Sequence, residues 1–424
     1  MSETLPRTTG SAVPTIDAAR WRDIATLPKG GIRARIAKML FERVVRSLDV
    51  RVLLPDGQVL GAGGLTGPVM ELVRPDAFYR RVAAGALIGF GEAYMAGDWT
   101  APNTADVLTV FAAKMATLVP APLQRLRAFI VAHQPSSERN VEANTRSNIS
   151  RHYDLSNDLF TQFLDPTMTY SSALFETDAS GHPIADSAVL EQAQQRKIDR
   201  LLDATGVTEG TRVLEIGTGW GQLAIQAAGR GATVHSITLS EEQRALAQER
   251  VAAAGFADRV TIELCDYRAA EGQYDVVVSV EMIEAVGYDF WPTYFATLDR
   301  LTAPGGRVGI QAITMPHDRM EASKETYTWI HKYIFPGGLL PSVEAIEETV
   351  AAHTRLTVTD QLSFGQHNGK TLAIWQDTFD AHWPAISALG FDETFRLMWL
   401  FYMAYSEAGF HSAYLDVNQF VLSA

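Results

Sequence analysis

The sequence predicts an α/β fold: a doubly wound, mostly parallel sheet of seven strands, preceded by a smaller α+β domain. Three observations carry this. From about residue 190, short apolar runs alternate with helical patterns. The runs are nearly continuous in apolar residues, as strands covered on both faces are. The first of them leads into a glycine-rich turn, Glu215-Ile-Gly217-Thr-Gly219-Trp-Gly221.

Taken in order, residues 1–28 read as a loose leader. Ile32, Ile36, Leu40 and Val44, with Phe41, Val45 and Leu48 beside them, have helical spacing, and Arg33, Arg35, Lys38, Arg43 and Arg46 lie among them. Strand-like runs follow at 50–54 and 58–60, broken by Gly61, Gly63, Gly64 and Gly67. After the glycine-rich stretch 89–99, helical segments fill about 104–132. The polar stretch 134–150 carries almost no large apolar residue and reads as a connector. It divides an N-terminal domain at 1–133 from a main domain at 151–424. In the main domain, strands are expected at 213–216, 233–239, 260–264, 274–280, 307–313, 356–362 and 371–376. Helices are expected at 222–230, 241–254 and 290–301, and later at about 380–388 and 391–409. No internal repeat is present.

Composition narrows the function. With 424 residues, 47% of them hydrophobic, the chain is globular and long enough for a large core. A single cysteine, Cys265, excludes a disulfide framework and a cysteine-ligated zinc site, and no metal is expected. No apolar run reaches the ~20 residues of a spanning helix, and Met1 to Ile16 lacks a signal-peptide core. A cytoplasmic protein, soluble or peripheral to a membrane, is expected. The net charge of −13 argues against a nucleic-acid partner. Locally the balance reverses: Lys29 to Arg51 holds seven basic and two acidic residues. This stretch reads either as a contact for an anionic membrane surface or as a solvated helix packed on its own domain.

The glycine loop sits where doubly wound sheets bind ligands, at the carboxyl end of a strand and the start of a helix. Gly217, Gly219 and Gly221, with Thr218, are candidate cofactor contacts. A dinucleotide is disfavoured. Gln222 stands where its third glycine belongs, and the second strand ends Thr238-Leu239-Ser240 without an acidic ribose partner. Asp266 and Tyr267, ending the third strand, suit an adenine ring, one as acceptor and one as packing face. That favours S-adenosylmethionine over NAD.

Longer motifs then stand out. They are Arg-His152-Tyr153-Asp154-Leu-Ser-Asn157-Asp158, Tyr170-Ser171-Ser172, the glycine loop, and Ser279-Val-Glu281-Met-Ile-Glu284-Ala-Val-Gly287. Lys332-Tyr-Ile-Phe-Pro336-Gly337 and Phe401-Tyr402-Met-Ala-Tyr-Ser406-Glu407 follow, and Gly91-Glu-Ala-Tyr94-Met-Ala-Gly97-Asp-Trp99 lies in the N-terminal part. On these the sequence resembles the cyclopropane-fatty-acyl-phospholipid synthase family of S-adenosylmethionine-dependent methyltransferases, over most of the chain and most strongly from Arg151 to Phe420.

The resemblance implies a Rossmann-like methyltransferase sheet and methyl transfer to the cis double bond of a phospholipid acyl chain at the membrane surface. A carbocation follows. It closes a cyclopropane ring on losing a proton from the new methyl group, or, after a hydride shift, leaves a methylene branch that a reductase can convert to a methyl branch. The resemblance also implies a homodimer, and cofactor contacts from Tyr170, Ser171, Thr238, Leu239 and Gln243. A bound bicarbonate is the family's base. Glu284, Tyr402 and the Ile313 backbone match its pocket, whereas Ser172 stands for the usual cysteine and Gln311 for a histidine. Ser406 replaces a further family cysteine. These departures exclude thiol chemistry and alter the anion pocket. Glu407, at a position that is often alanine, is either an added base favouring the methylene product or a structural carboxylate. Glu281 is a further site candidate. His152, Tyr153 and Asp154 are cofactor-side or structural. His331 and His367 are weighed between a functional and a structural role, Cys265 as a small core residue. The competing readings are a small-molecule methyltransferase with the same core and a non-catalytic lipid-binding protein.

Overall fold

The computed structural model describes residues 14–118, 156–324 and 326–424. The connector expected at 134–150 and the His152-Tyr153-Asp154 motif lie outside them. The chain divides into two units, one drawn from 1–130 and 383–412, the other from 131–382 and 413–424.

The first unit carries a small sheet in the order β2-β1-β3-β4, built from β1 Arg51–Leu53, β2 Val59–Leu60, β3 Val69–Leu72 and β4 Trp99–Thr100. The helices Pro75–Met95, Thr104–Leu118 and Glu393–His411 pack beside it. The last was expected in the main domain. Its buried residues Phe395, Met398, Trp399 and Phe401 explain the difference, because Phe401 meets Tyr94 and Trp99 of this unit at ring-centroid distances of 5.4 and 6.4 Å. The leader is less loose than expected from residue 17 onward. Ile24 is buried, Arg81 donates to the Ile24 carbonyl at 2.6 Å, and Trp21 donates to Asp392 at 2.8 Å. Helix Ile32–Val45 forms where expected. Phe41 and Val45 turn inward, while Ile32, Ile36, Met39 and Leu40 remain exposed.

The second unit is a seven-stranded sheet in the order β10-β11-β9-β8-β5-β6-β7. Five strands run parallel: β5 Arg212–Ile216, β6 Thr233–Thr238, β7 Val260–Leu264, β8 Tyr274–Val280 and β9 Thr302–Thr314. Alternate residues face opposite layers. Leu214 and Val277 join a core with helices Trp291–Leu301 and Val343–His353, whereas Val213, Val276 and Val278 join one with helices Leu190–Thr205, Gln222–Gly229 and Glu241–Ala253. That double burial is why these strands read as apolar runs.

The sheet's far edge differs from expectation. β10 Thr357–Ser363 forms, but residues 371–376 belong to helix Gly365–Ala381, whose buried Thr371, Leu372, Trp375 and Phe379 follow helical spacing. The seventh strand is β11 Asp416–Ser423, inserted antiparallel between β9 and β10.

Candidate active site

The glycine loop closes β5 and opens helix Gln222–Gly229. Gly217, Gly219 and Gly221 all have positive φ, at 95°, 52° and 88°. A Cβ on Gly217 would come within 2.7 Å of Met282 Cγ, whereas one on Gly219 would stand in open space. The Gly217 and Thr218 amides donate to the Ile237 carbonyl on β6, at 2.9 and 3.2 Å. Backbone clamped from one side and open at Gly219 is what close approach of a ligand requires, so these residues fit S-adenosylmethionine. Beneath the loop, Ser236 bonds Glu215 at 2.5 Å and Thr218 at 2.7 Å. Burial pushes the Glu215 carboxyl up to about 8.

The neighbouring expected contacts cluster around the loop. Thr238 donates to Gln243 at 3.0 Å, beside the half-buried Leu239. Tyr170 packs its ring on Phe160 and Trp375, and Trp220 of the loop itself donates to Asn157 at 2.7 Å. The adenine pair is arranged otherwise than expected. Arg268 grips Asp266 through both carboxylate oxygens, and Tyr267 turns into the core against Tyr294. Burial raises the Asp266 carboxyl, but its bonds to Arg268 outweigh that and leave it below the usual range. Arg268, whose guanidinium lies over the Tyr267 and Phe290 rings, was not singled out by sequence.

Two glutamates follow β8, the strand next to β5. Glu281 sits at the turn in a left-handed backbone, φ 50°. Its Oε1 accepts from the Ser172 amide at 2.9 Å and from Gln311 Nε2 at 2.8 Å. Glu284 accepts the Ile313 amide on Oε1 at 2.5 Å, while Oε2 is buried with no hydrogen-bond partner among the described residues. Each residue keeps partial solvent access, yet its carboxyl is ringed by protein. Burial, then the charge of Glu281, pushes Glu284 up to about 8.

The structure thus brings Ser172, Gln311, Ile313 and Glu284 together, but not as a bicarbonate pocket. Ser172 Oγ donates to the Ala173 carbonyl, Gln311 to Glu281, and Ile313 to Glu284. The Ser172, Gln311 and Ile313 donors are committed inside the protein, so these three residues do not fit bicarbonate and no step is assigned to it. Tyr402, Ser406 and Glu407 lie on helix Glu393–His411 of the other unit. There Tyr402 meets the Trp399 ring, and Glu407, 6% exposed, pairs with His411 at 3.7 Å.

Sequence reasoning missed Lys197 and Gln194, one helical turn apart on Leu190–Thr205 and both buried. Lys197 Nζ donates to Ser171 Oγ at 2.6 Å, and Gln194 donates to the Ser171 carbonyl at 2.9 Å. A buried lysine inside a helix facing the sheet was the available signal. The histidines are structural hubs. His331 caps its own helix through Thr328 and meets the Gly338 carbonyl, and His367 accepts the Phe175 amide. Cys265 packs half-buried against the core.

Comparison with known proteins identifies the family. Residues 140–420 match the family model described as mycolic acid cyclopropane synthetase. The tuberculostearic acid methyltransferase UfaA1 of Mycobacterium tuberculosis is 52% identical over 410 residues, 96% of each chain. The cyclopropane-fatty-acyl-phospholipid synthase of Escherichia coli is 34% identical over 368 residues, 84% of this chain and 87% of that one. Among solved structures, the cyclopropane synthase MmaA2 from Mycobacterium tuberculosis is 30% identical at a TM-score of 0.59, covering 66% of this chain and 98% of its own. The mycolic acid cyclopropane synthase CmaA1 complexed with SAH and CTAB is 29% identical at the same TM-score, covering 69% and 99%. The chain is therefore a member of the mycolic acid cyclopropane synthetase family of S-adenosylmethionine-dependent methyltransferases.

Proposed function

We propose that this enzyme methylates the cis double bond of an oleoyl-like phospholipid acyl chain and leaves a 10-methylene branch. The observation that carries the reading is Glu284: a carboxyl beside the glycine loop's strand, anchored through one oxygen and unpartnered through the other. The methylene outcome draws support from the 52% identity to a tuberculostearic acid methyltransferase across nearly the whole chain.

Bound S-adenosylmethionine supplies an electrophilic methyl group. The loop Gly217–Gly221, with Tyr170, Ser171, Thr238, Leu239 and Gln243, holds and orients it. An alkene needs no base to attack, but its attack leaves positive charge on the acyl chain. Glu284 as the carboxylate stabilises that charge. At an effective dielectric of ~20 and a distance of ~4 Å, this contributes about 4 kcal/mol. Tyr402 adds an aromatic face, worth on the order of 1–2 kcal/mol. Glu407 acts as the base that takes the final proton. Ser172, Gln311 and Ile313 do not carry protons; they fix the two glutamates. Ser406 replaces a thiol with a group that forms no adduct.

Among the described residues no helix is long and apolar enough to cross a membrane. We place the enzyme on the cytoplasmic face of the membrane through helix Ile32–Val45. Its exposed Ile32, Ile36, Met39 and Leu40 and its basic Arg33, Arg35 and Lys38 suit an anionic lipid surface, at about 1 kcal/mol per basic residue. Reversing the three charges to Glu should cut vesicle flotation about a hundredfold; undiminished binding removes this assignment. A homodimer, testable by light scattering, and a reductase that consumes the methylene product complete the proposal.

The deciding experiment feeds oleate to cells expressing the chain and analyses fatty acid methyl esters by fragmentation mass spectrometry and proton NMR. A 10-methylene product is expected. A cyclopropane isomer moves the reading to ring closure, and an unmodified lipid pool overturns it.

A further inference from the structure

Lys197 is buried to 1% exposure on helix Leu190–Thr205, and nothing in the chemistry above uses it. A buried ammonium is costly unless its charge is answered. Here Ser171 Oγ takes its hydrogen bond at 2.6 Å; burial lowers the ammonium to about 8, and the charges of Glu281 and Asp165 oppose that fall. Burial raises the Glu281 carboxyl, and the Lys197 charge with the hydrogen bonds from the Ser172 amide and Gln311 opposes that rise. Gln311 is bonded by Gln419, which also donates to the Lys197 carbonyl. One helical turn thus braces both sides of the site: the Tyr170–Ser172 segment and the Glu281–Glu284 turn.

We propose that Lys197 is a positioning residue whose ammonium fixes Ser171 and holds Glu281 as the carboxylate, so that the proton of the Glu281–Glu284 pair resides on Glu284. This rests on the reaction proposed above. Two acids so close in sequence and space titrate as a pair, and the member with the cation keeps its charge. The charged and titratable groups facing the pair are Lys197, with Asp165 behind it, and Tyr294 from helix Trp291–Leu301, whose phenol is held neutral by burial. Lys197 thereby sets the pH at which Glu284 becomes an anion and the site becomes competent.

The test follows labelled methyl transfer into oleoyl phosphatidylglycerol vesicles across pH for wild type, Lys197→Met, Glu281→Gln and the double variant. The wild-type kcat should climb with pH as Glu284 deprotonates. In each variant the limb should move toward acid by about one pH unit or more, because Glu284 no longer has an anionic neighbour. A brace that is only structural lowers stability and leaves the limb in place; that result overturns the proposal. Should Lys197→Met fail to fold, the isosteric Glu281→Gln decides alone. Difference infrared spectra read the proton without turnover. At neutral pH, Glu284→Gln should remove a protonated-carboxyl band that Glu281→Gln does not remove directly, while the Glu215 band cancels. A missing band defeats the proton assignment even in an active enzyme, whereas a wild type that methylates no lipid defeats the reaction reading and leaves the infrared result standing.

Discussion

The Ile313 amide donates to Glu284 across 2.5 Å, and this bond ties a carboxyl after β8 to the end of β9. The bond orients Glu284 without neutralising it, leaving Oε2 for positive charge. Glu284→Gln keeps the size and the bond but loses the anion. Above pH 8, methyl transfer should fall roughly a thousandfold, the equivalent of about 4 kcal/mol. Calorimetric affinity for S-adenosylmethionine should stay within a few-fold. An equal loss of cofactor affinity would make Glu284 a structural acid.

The glycine loop offers a sharper contrast. Gly219 has φ 52°, a value other residues adopt at about 1 kcal/mol, and its Cβ would enter open space. Gly219→Ala should therefore fold almost normally and lose cofactor affinity. Gly217→Ala meets Met282 at 2.7 Å and a φ of 95°, so it should lose thermal stability as well. Thermal melts paired with cofactor titrations separate the two. Similar melting losses in both variants contradict the assignment of open space above Gly219.

Much of this was legible in the sequence. The loop was, because positive φ at close spacing demands glycine whatever the context. The five parallel strands were, because double burial leaves unbroken apolar runs. The span Thr371 to Gln376 was not. Its β-branched and aromatic residues imitate a strand, and only packing makes it helix. The Lys197–Ser171–Ser172–Glu281 network was equally hidden, since its members come from three separate segments and no local pattern announces a buried lysine bonded to a serine hydroxyl. Glu284 was legible through motif resemblance, but its capture of the Ile313 amide was not.

Burial of Glu215 gives a stability signature distinct from catalysis. Its carboxyl is raised to about 8 in the fold and returns to about 4.5 when unfolded. The folded state therefore binds the extra proton, and stability falls as pH rises from the unfolded to the folded value. Glu215→Gln removes this proton linkage while keeping an acceptor for Ser236. The melting temperature of wild type should decline between about pH 5 and 8, and that of Glu215→Gln should decline less, with Glu284 supplying the residual slope. Parallel declines would show that Glu215 is ionised in the fold.

Glu407 tests where the last proton goes. It is a carboxyl with 6% exposure inside a helix rich in buried aromatics, with His411 one turn away at 3.7 Å. Burying such an acid is costly, and a purely structural role has to be justified by pairing within the fold, of which the His411 contact is one part. A base placed by the protein has a different consequence, because it makes an exogenous anion unnecessary. Glu407→Gln should then lower kcat about a hundredfold, within the range of a lost general base. Added bicarbonate should restore part of the rate in the variant and none in wild type. An unchanged rate with an unchanged bicarbonate response would reduce Glu407 to a partner of His411.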